Sequence, residues 1–338
     1  MVHLVQISNG STRRVALVEG PTLRCLERIQ SIYELAAGSL RDGASLSACA
    51  MEKATGEALD YDAVYENRSQ WRLLCPIDLP GSPSRILVTG TGLTHLGSAK
   101  DRQAMHEAQN PIEAAAMTDS MRMFEWGVEG GRPAKGEIGV APEWFYKGNG
   151  SVLKGPFAAL PVPPYAEDGG EEAEIAGIYL VGEDGTPCRL GMAIGNEFSD
   201  HKFERRNYLN LAGSKLRSCA LGPELVVGAP FQSISGEARI ERDGKVIWDK
   251  NLKTGEQHMC HSLANIEHHH FKFEGHRQPG TLHVHFFGAH ALSFGDGVEL
   301  RDGDWMDIRY EGFGRPLRNT IHIESRSENL QVVVSAMS

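Results

Sequence analysis

Three glutamates in two segments of this 338-residue chain have the spacing that most directly suggests chemistry. Glu172 and Glu174 lead into the apolar run IAGIYLV, where side chains two residues apart share one face of a strand. Glu197 follows a second apolar run, Leu190–Ile194, so pairing of the two runs would bring three carboxylates to one point. Carboxylates that close need a cation or a proton between them, and an all-oxygen set suits Mg²⁺, Mn²⁺ or Ca²⁺. The alternative is that Glu172 and Glu174 are solvated strand residues.

Lys215 is a candidate base in the segment that follows Glu197, within the stretch LAGSKLRSCALGPEL. Beside a cation and partly removed from water, the ammonium form of a lysine is disfavoured, and the amine can accept a proton near neutral pH. The alternative is an ordinary solvated lysine.

Two further segments carry candidate groups. In PEWFYK, Glu143 and Lys147 flank an aromatic core and would present an acid and a base to a pocket, or form a structural ion pair. His95 lies in the glycine-framed segment TGTGLTHLG. The dinucleotide fingerprint GxGxxG fails there because its third glycine position holds His95. We therefore expect a histidine on an active-site loop.

Histidines are concentrated near the C-terminal end, with nine between His258 and His290. His283 and His285 form an HxH pair on one strand face, which is the arrangement a zinc site uses. The chain has no HExxH motif. A zinc site is therefore the lesser alternative to the carboxylate site.

The elements that must position these groups are mostly strands. Alternating runs at Val2–Ile7 and Arg14–Val18 predict two strands, and helical spacing predicts a helix over Leu23–Leu40. The stretch PIDLPGSP places a domain boundary near residue 75, giving a small domain over 1–75 and a larger one over 76–338. The larger part is rich in glycine and short β-like runs, with a long helix expected to open at Asn110 and Pro111.

Composition excludes several classes of function. The 34 basic residues minus 44 acidic residues leave a net charge of −10, which argues against nucleic acid or an anionic membrane as partner. No apolar run reaches the roughly 18 residues of a membrane span, and the first residues lack the features of a secretory signal. The six cysteines are widely spaced with no CxxC pair, as in a reduced protein. We expect a cytoplasmic protein.

In their order along the chain, these segments resemble the fumarylacetoacetate hydrolase superfamily from about residue 86 to the C-terminal end. The resemblance implies an α+β, β-rich fold, with a mixed, rolled β-structure as catalytic domain, a small N-terminal domain and a homodimer. It also implies Mg²⁺ or a similar ion held by three carboxylates. The motifs that carry it are VTGTGLTH, PEWFYK, Glu172-x-Glu174, Gly195-Asn196-Glu197-x-Ser199, Lys215, Leu221-Gly222-Pro223, Pro279-Gly280 and the closing LRDGDWMDIRYEGFGRPLRN.

The resemblance implies a role for each candidate residue. The expected metal ligands are Glu172, Glu174 and Glu197, the catalytic residues Lys215, Glu143 and His95, and the substrate-binding residues Lys147, Ser199, Gly288 and His290.

Departures from the hydrolase branch favour a particular activity. The third metal ligand is usually aspartate, whereas this chain has Glu197, and the glutamate that helps hydrolases activate water is replaced by Ser98. The carboxylate-binding Gly-Thr-Pro is replaced by Gly288-Ala289-His290. The missing water-activating glutamate, together with the Pro-Glu-x-Phe-x-Lys stretch that starts at Pro142, makes the sequence look like the dehydratases of 2-keto-3-deoxy sugar acids in pentose catabolism. Such an enzyme would convert the five-carbon acid to 2,5-dioxopentanoate. The alternatives are a C–C bond hydrolase of a 2,4-diketo acid using His95, a catalytically silent sugar-acid binder, and a zinc protein.

Overall fold

A computed structural model describes residues 1–107, 118–325 and 331–337. Within them the chain forms 18 strands and 8 helices. The predicted helix start at Asn110 and Pro111 lies outside the described residues. The strands are β1 (Val2–Ser8), β2 (Arg13–Glu19), β3 (Thr22–Cys25), β4 (Ala58–Asp60), β5 (Arg72–Leu73), β6 (Ile86–Gly90), β7 (Phe145–Asn149), β8 (Leu153–Lys154), β9 (Ala159–Val162), β10 (Ala173–Val181), β11 (Pro187–Asn196), β12 (Cys219–Leu221), β13 (Leu225–Val227), β14 (Ile234–Arg242), β15 (Lys245–Thr254), β16 (Leu282–Phe286), β17 (Trp305–Tyr310) and β18 (Leu317–Ile323). The helices are α1 (Ile32–Arg41), α2 (Leu46–Lys53), α3 (Tyr61–Tyr65), α4 (Leu96–Glu107), α5 (Asp119–Gly130), α6 (His201–Arg206), α7 (Leu211–Lys215) and α8 (Leu263–Phe271).

Two mixed sheets contain these strands. The larger has 13 strands along the order β4-β3-β2-β1-β13-β11-β10-β16-β6-β7, with β5, β8 and β12 attached beside that path. The smaller has the order β15-β14-β17-β18-β9. Most pairs are antiparallel, while β16–β6, β18–β9 and β12–β8 are parallel. The predicted α+β, β-rich fold is confirmed. In the described part of the chain, no helix combines the length and apolarity needed to span a membrane.

The N-terminal strands continue the larger sheet, because β1 pairs with β2 on one side and with β13 on the other. The two predicted N-terminal strands are present, but the helix expected from Leu23 begins only at Ile32. The Ser31 side chain accepts a hydrogen bond from the backbone N–H of Glu34 and thereby caps the helix there. Residues Thr22–Cys25 instead form β3, which pairs with β2 on one side and β4 on the other. The domain boundary near residue 75 stays a prediction.

Strand β10 lies between two hydrophobic layers, and all nine of its residues are buried. Ile175 packs in the layer that includes Ile308 of the smaller sheet. Ala176 and Ile178, on the opposite face, pack in the layer that includes Leu35 of α1. Because strand side chains alternate, Glu172 and Glu174 belong to the same face as Ala176, at the point where the strand begins.

Candidate active site

Antiparallel pairing of β10 with β11 brings the three candidate glutamates together. Glu174 lies opposite Gly195, and the backbone N–H of Glu197 donates to the carbonyl of Glu172 at 2.9 Å. One carboxylate oxygen from each of Glu172, Glu174 and Glu197 lies within 4.8 Å of the other two, and all three residues are buried. The start of one strand and the end of its neighbour thus form a single acidic cluster.

Two buried lysines complete this cluster of charges. Lys215 is the last residue of α7, and its ammonium donates to the carboxylates of both Glu172 and Glu197. Lys147 of β7 donates to the carboxylate of Glu197 and, at 2.8 Å, to the carbonyl oxygen of Phe198. The ring of Phe145 lies against Lys215, with 4.8 Å between its centroid and Nζ. The Lys215 ammonium is therefore enclosed by two carboxylates and an aromatic ring, and the Lys147 ammonium by a carboxylate and a backbone carbonyl.

Each carboxylate is also held by a neighbouring donor. The Ser199 hydroxyl lies 3.1 and 3.2 Å from the two oxygens of Glu197, and the backbone N–H of Gly288 donates to Glu174 at 2.6 Å. The ring Nε2 of His201 lies 3.1 Å from Glu172. Ser199 and Gly288, expected to bind substrate, thus have the candidate metal ligands as their partners.

The pKa values of the three carboxyl groups differ because their partners differ. Burial, followed by the charges of Glu197 and Glu172, holds the pKa of Glu174 well above its usual range. Burial and the charge of Glu172 also raise the pKa of Glu197. Burial acts in the same direction on Glu172, but Lys215 and His201 outweigh it and hold its pKa well below the usual range.

This donor set fits a hard divalent cation. It consists of carboxylate oxygens from Glu172, Glu174 and Glu197, which are the ligands that Mg²⁺, Mn²⁺ and Ca²⁺ prefer. Burial, and then repulsion between the neighbouring carboxylates, raises the pKa values of Glu174 and Glu197, and a bound cation would offset that repulsion. Among the described residues, these three form the one cluster of potential metal ligands in which all donor atoms lie this close together.

The remaining candidates make contacts of their own, apart from the three glutamates and two lysines. Glu143 is buried, and its carboxylate accepts a hydrogen bond of 2.9 Å from the hydroxyl of Tyr208. The two ring nitrogens of His95 lie 2.9 Å from the Thr94 hydroxyl and 3.2 Å from the Thr254 hydroxyl. Burial and then two neighbouring histidines lower the pKa of His95 to about 3. His290 is half-buried with its ring 5.9 Å from that of His95.

The HxH pair does not present a zinc chelate. His285 directs its two ring nitrogens to the hydroxyls of Thr89 and Thr91, each at 2.7 Å. His283 directs Nδ1 to Nε2 of His270 at 2.9 Å. Because these nitrogens are engaged in hydrogen bonds, the zinc alternative has no support from the geometry.

Sequence reasoning missed His201 and Tyr208, which contact Glu172 and Glu143. A signal for His201 was present in the Ser199-Asp200-His201 sequence, which begins two residues after Glu197. The Asp200 side chain accepts from the N–H of Phe203 and so starts α6 at His201. That turn carries the histidine back toward Glu172. Tyr208 had no comparable local signal.

Comparison with solved structures identifies the fold. The apo form of 2-keto-3-deoxy-D-arabinonate dehydratase matches with a TM-score of 0.70 at 18% identity, covering 96% of this chain and 99% of that chain. The same enzyme complexed with magnesium and 2,5-dioxopentanoate matches with a TM-score of 0.69 at 17% identity, covering 95% and 99%. A fumarylacetoacetate hydrolase from Exiguobacterium antarcticum matches with a TM-score of 0.61 at 16% identity, covering 96% and 100%.

These likenesses extend over nearly the whole of each chain, and at such low identity they define the fold. The chain has the fold of these dehydratase and fumarylacetoacetate hydrolase structures, which is the fold that the sequence resemblance implied. No protein-family model matches the sequence. No curated protein matches it.

Proposed function

We propose that this protein is a divalent-metal-dependent dehydratase of a 2-keto-3-deoxy sugar acid, with the five-carbon acid as substrate and 2,5-dioxopentanoate as product. The observation that carries the proposal is the buried triad of Glu172, Glu174 and Glu197 with the ammonium of Lys215 between two of its members. The fold shared with a dehydratase complexed with magnesium and 2,5-dioxopentanoate supports it. The expected homodimer and cytoplasmic location belong to the same proposal.

In this proposal the three glutamates hold the cation, with Mg²⁺ as first choice. When bound, a divalent cation would polarise the carboxylate and 2-keto oxygens of the substrate. Ser199, Gly288 and His201 keep the carboxylates oriented through the hydrogen bonds described above. The ammonium of Lys147 pairs with the carboxylate of Glu197. From the same position it can also bind an anionic group of the substrate.

The chain supplies both proton-transfer groups for loss of water. Lys215, once deprotonated, accepts the proton from C3, and Glu143, once protonated, donates a proton to the departing C4 hydroxyl. Loss of water between C3 and C4, followed by tautomerisation, gives 2,5-dioxopentanoate from the five-carbon acid. Tyr208 holds the Glu143 carboxyl group through its hydroxyl.

The position of His95 favours dehydration over C–C bond hydrolysis. A hydrolase would use this histidine with a glutamate to activate water, whereas here its ring nitrogens are engaged by the hydroxyls of Thr94 and Thr254. Ser98 stands where the hydrolase glutamate would be, and its hydroxyl donates to the carbonyl of His95 at 3.2 Å. We assign His95 to the loop that borders the site and not to water activation.

A product assay tests the proposal. The purified protein is incubated with a panel of 2-keto-3-deoxy acids and a 2,4-diketo acid, with Mg²⁺ or with EDTA, and the products are separated. We expect 2,5-dioxopentanoate from 2-keto-3-deoxypentonate, with loss of activity in EDTA and recovery when Mg²⁺ is added back. Pyruvate released from the diketo acid, with no dehydration of any sugar acid, would instead identify a hydrolase and end the proposal.

A further inference from the structure

On the side that faces away from Lys215 and Glu197, the start of β7 contacts a cluster of buried histidines. Phe145 and Lys147 on the inner face contact Lys215 and Glu197. Trp144, one residue earlier, points to the other face, because side chains alternate along a strand. Its indole N–H donates to Nδ1 of His270, in α8, at 3.2 Å.

This bond determines where the histidine protons lie. An indole N–H can only donate, so Nδ1 of His270 must accept and the proton of the neutral ring must be on Nε2. That nitrogen lies 2.9 Å from Nδ1 of His283 and therefore donates to it. His283 then carries its own proton on Nε2, which lies 3.4 Å from the Thr281 hydroxyl. A single donor direction thus runs from Trp144 through His270 to His283.

The surroundings keep His270 neutral and fixed. The ring is almost completely buried, and it lies tilted against the rings of His285, with 4.4 Å between centroids, and of His276, with 4.9 Å. Burial, and then the neighbouring histidines, lower the pKa of His270 far below its usual range. His276 donates from Nδ1 to the backbone carbonyl of His270 at 2.6 Å, which holds the end of α8 as well.

We propose that His270 is a positioning residue for the candidate active site. It accepts a hydrogen bond from the indole N–H of Trp144 and thereby fixes the position of β7, from which Phe145 and Lys147 reach Lys215 and Glu197. Glu143 directly precedes Trp144, so the same contact bears on the proposed acid. The inference deepens the proposed dehydratase function and rests on it for its kinetic consequences, whereas the direction of the histidine hydrogen bonds is independent of the substrate.

Nuclear magnetic resonance of histidine side chains tests the hydrogen-bond direction. Two-bond ¹H–¹⁵N spectra of ¹⁵N-histidine-labelled protein at neutral pH should show His270 and His283 as neutral rings protonated at Nε2, with His270→Asn used for assignment. In Trp144→Phe, which keeps an aromatic ring but removes the indole donor, we expect His270 to lose this single tautomer. A His270 ring that is protonated at Nδ1 or charged in the unmodified protein would overturn the inference.

Kinetics test the positioning role. His270→Leu removes the acceptor and should lower kcat by roughly 10- to 100-fold, the size expected for a misplaced catalytic group. His270→Asn places an amide oxygen where Nδ1 was and should recover most of that loss. The variant combining Trp144→Phe with His270→Leu should be no slower than His270→Leu alone, because both changes break one contact. Additive losses, or equal losses in the Asn and Leu variants, would contradict the positioning role.

His268→Leu is the matched control, since His268 lies exposed on the same helix and should retain full kcat. Absence of turnover of every 2-keto-3-deoxy acid by the unmodified protein would refute the proposed function, while the tautomers seen by resonance would still test the hydrogen bond from Trp144 to His270.

Discussion

At the scale of single residues, the unusual feature is five ionisable side chains buried around one point. Glu172, Glu174 and Glu197 face the ammonium groups of Lys147 and Lys215, and all five are at most 6% exposed. Removing charges from water costs several kcal/mol each unless they are closely paired. Such an arrangement therefore lowers the stability of the folded protein, and it is typical of a site that uses its charges for binding or catalysis.

Replacing the central lysine tests its role as a base. Lys215→Ala should reduce turnover of the sugar acid to below about one hundredth, because a positioned base contributes roughly 10²–10⁴-fold. Binding of Mn²⁺, measured by electron paramagnetic resonance, should survive, since Lys215 is not among the ligands. Lys250→Ala removes a half-exposed lysine paired with Asp296 and serves as control, with activity unchanged. Activity above a tenth of the unmodified level in Lys215→Ala would rule out this base.

The sequence predicted the centre of the site better than its surroundings. The i, i+2 spacing of Glu172 and Glu174 and the position of Glu197 after an apolar run are local patterns, and they located the acidic cluster. The partner of Lys147 is Glu197, 50 residues away, and that of Glu143 is Tyr208, 65 residues away. Such contacts depend on the fold, which spacing along the chain does not reveal.

At the scale of elements, close approach of β6 and β7 places an aromatic ring beneath Lys215. Gly90 pairs directly with Phe145, and a Cβ atom on Gly90 would lie 2.4 Å from its ring. We predict that Gly90→Ala displaces this ring, lowers the free energy of unfolding by about 1–3 kcal/mol through overpacking, and lowers kcat. Gly81→Ala is the control, because a Cβ there meets no atom within 4 Å. Equal unfolding midpoints in urea for the two variants would contradict the packing argument.

Strand β16 carries two buried neutral histidines that make stability depend on pH. Burial, followed by neighbouring histidines, lowers the pKa of His283 and of His285 to about 3 each. In the unfolded chain a histidine has a pKa of about 6.5. Between these two values the unfolded chain binds protons that the folded protein does not. The stability contribution is therefore complete above pH 6.5 and is lost as the pH falls toward 3.

Urea unfolding at pH 7.5 and pH 5.5 measures this loss. Between pH 7.5 and pH 5.5, each such histidine should lower the free energy of unfolding by about 1.4 kcal/mol. The total decrease between these two pH values should therefore be smaller by about that amount in His285→Gln than in the unmodified protein. His268→Gln changes an exposed histidine and should leave the decrease unaltered. An identical decrease in the unmodified protein and His285→Gln would show that this ring takes up no proton on unfolding.

Prediction of the elements succeeded for long apolar or alternating runs, the two N-terminal strands included, and failed within Leu23–Leu40. The strand predicted over the run IAGIYLV, Ile175–Val181, makes up all of β10 except its first two residues. The helix predicted over Leu23–Leu40 merged a short strand with a helix, because the apolar residues of Thr22–Cys25 also fit helical spacing. Strand β3 forms because β2 and β4 pair with it, and those partners are tertiary information.

At the scale of the whole molecule, one buried carboxylate links distant parts of the chain. Glu224 accepts from the hydroxyl of Tyr61 at 2.8 Å and from the backbone N–H of Arg315 at 3.0 Å, and it lies 2.7 Å from Nδ1 of His3. His3 and Tyr61 precede the predicted boundary near residue 75, while Glu224 and Arg315 follow it. We therefore expect the two predicted domains to unfold together, in a single transition.

Glu224→Ala tests this link. It leaves buried donors without an acceptor and should lower the free energy of unfolding by about 3 kcal/mol. Glu66→Ala, which removes a pair with Arg68 in which both side chains are more than half exposed, should cost less than about 1 kcal/mol. Two separate urea transitions in the unmodified protein, or equal effects of the two variants, would argue that residues 1–75 are held independently of Glu224.

The proposed function depends above all on whether a divalent cation binds at Glu172, Glu174 and Glu197. Anomalous diffraction from crystals soaked in Mn²⁺ would locate the cation directly. We predict one strong peak per chain within about 2.5 Å of an oxygen from each of Glu172, Glu174 and Glu197, the range for hard cations and carboxylates, and its loss in Glu197→Gln. A peak elsewhere, such as between His270 and His283, or none at these carboxylates in saturating Mn²⁺, would contradict the account.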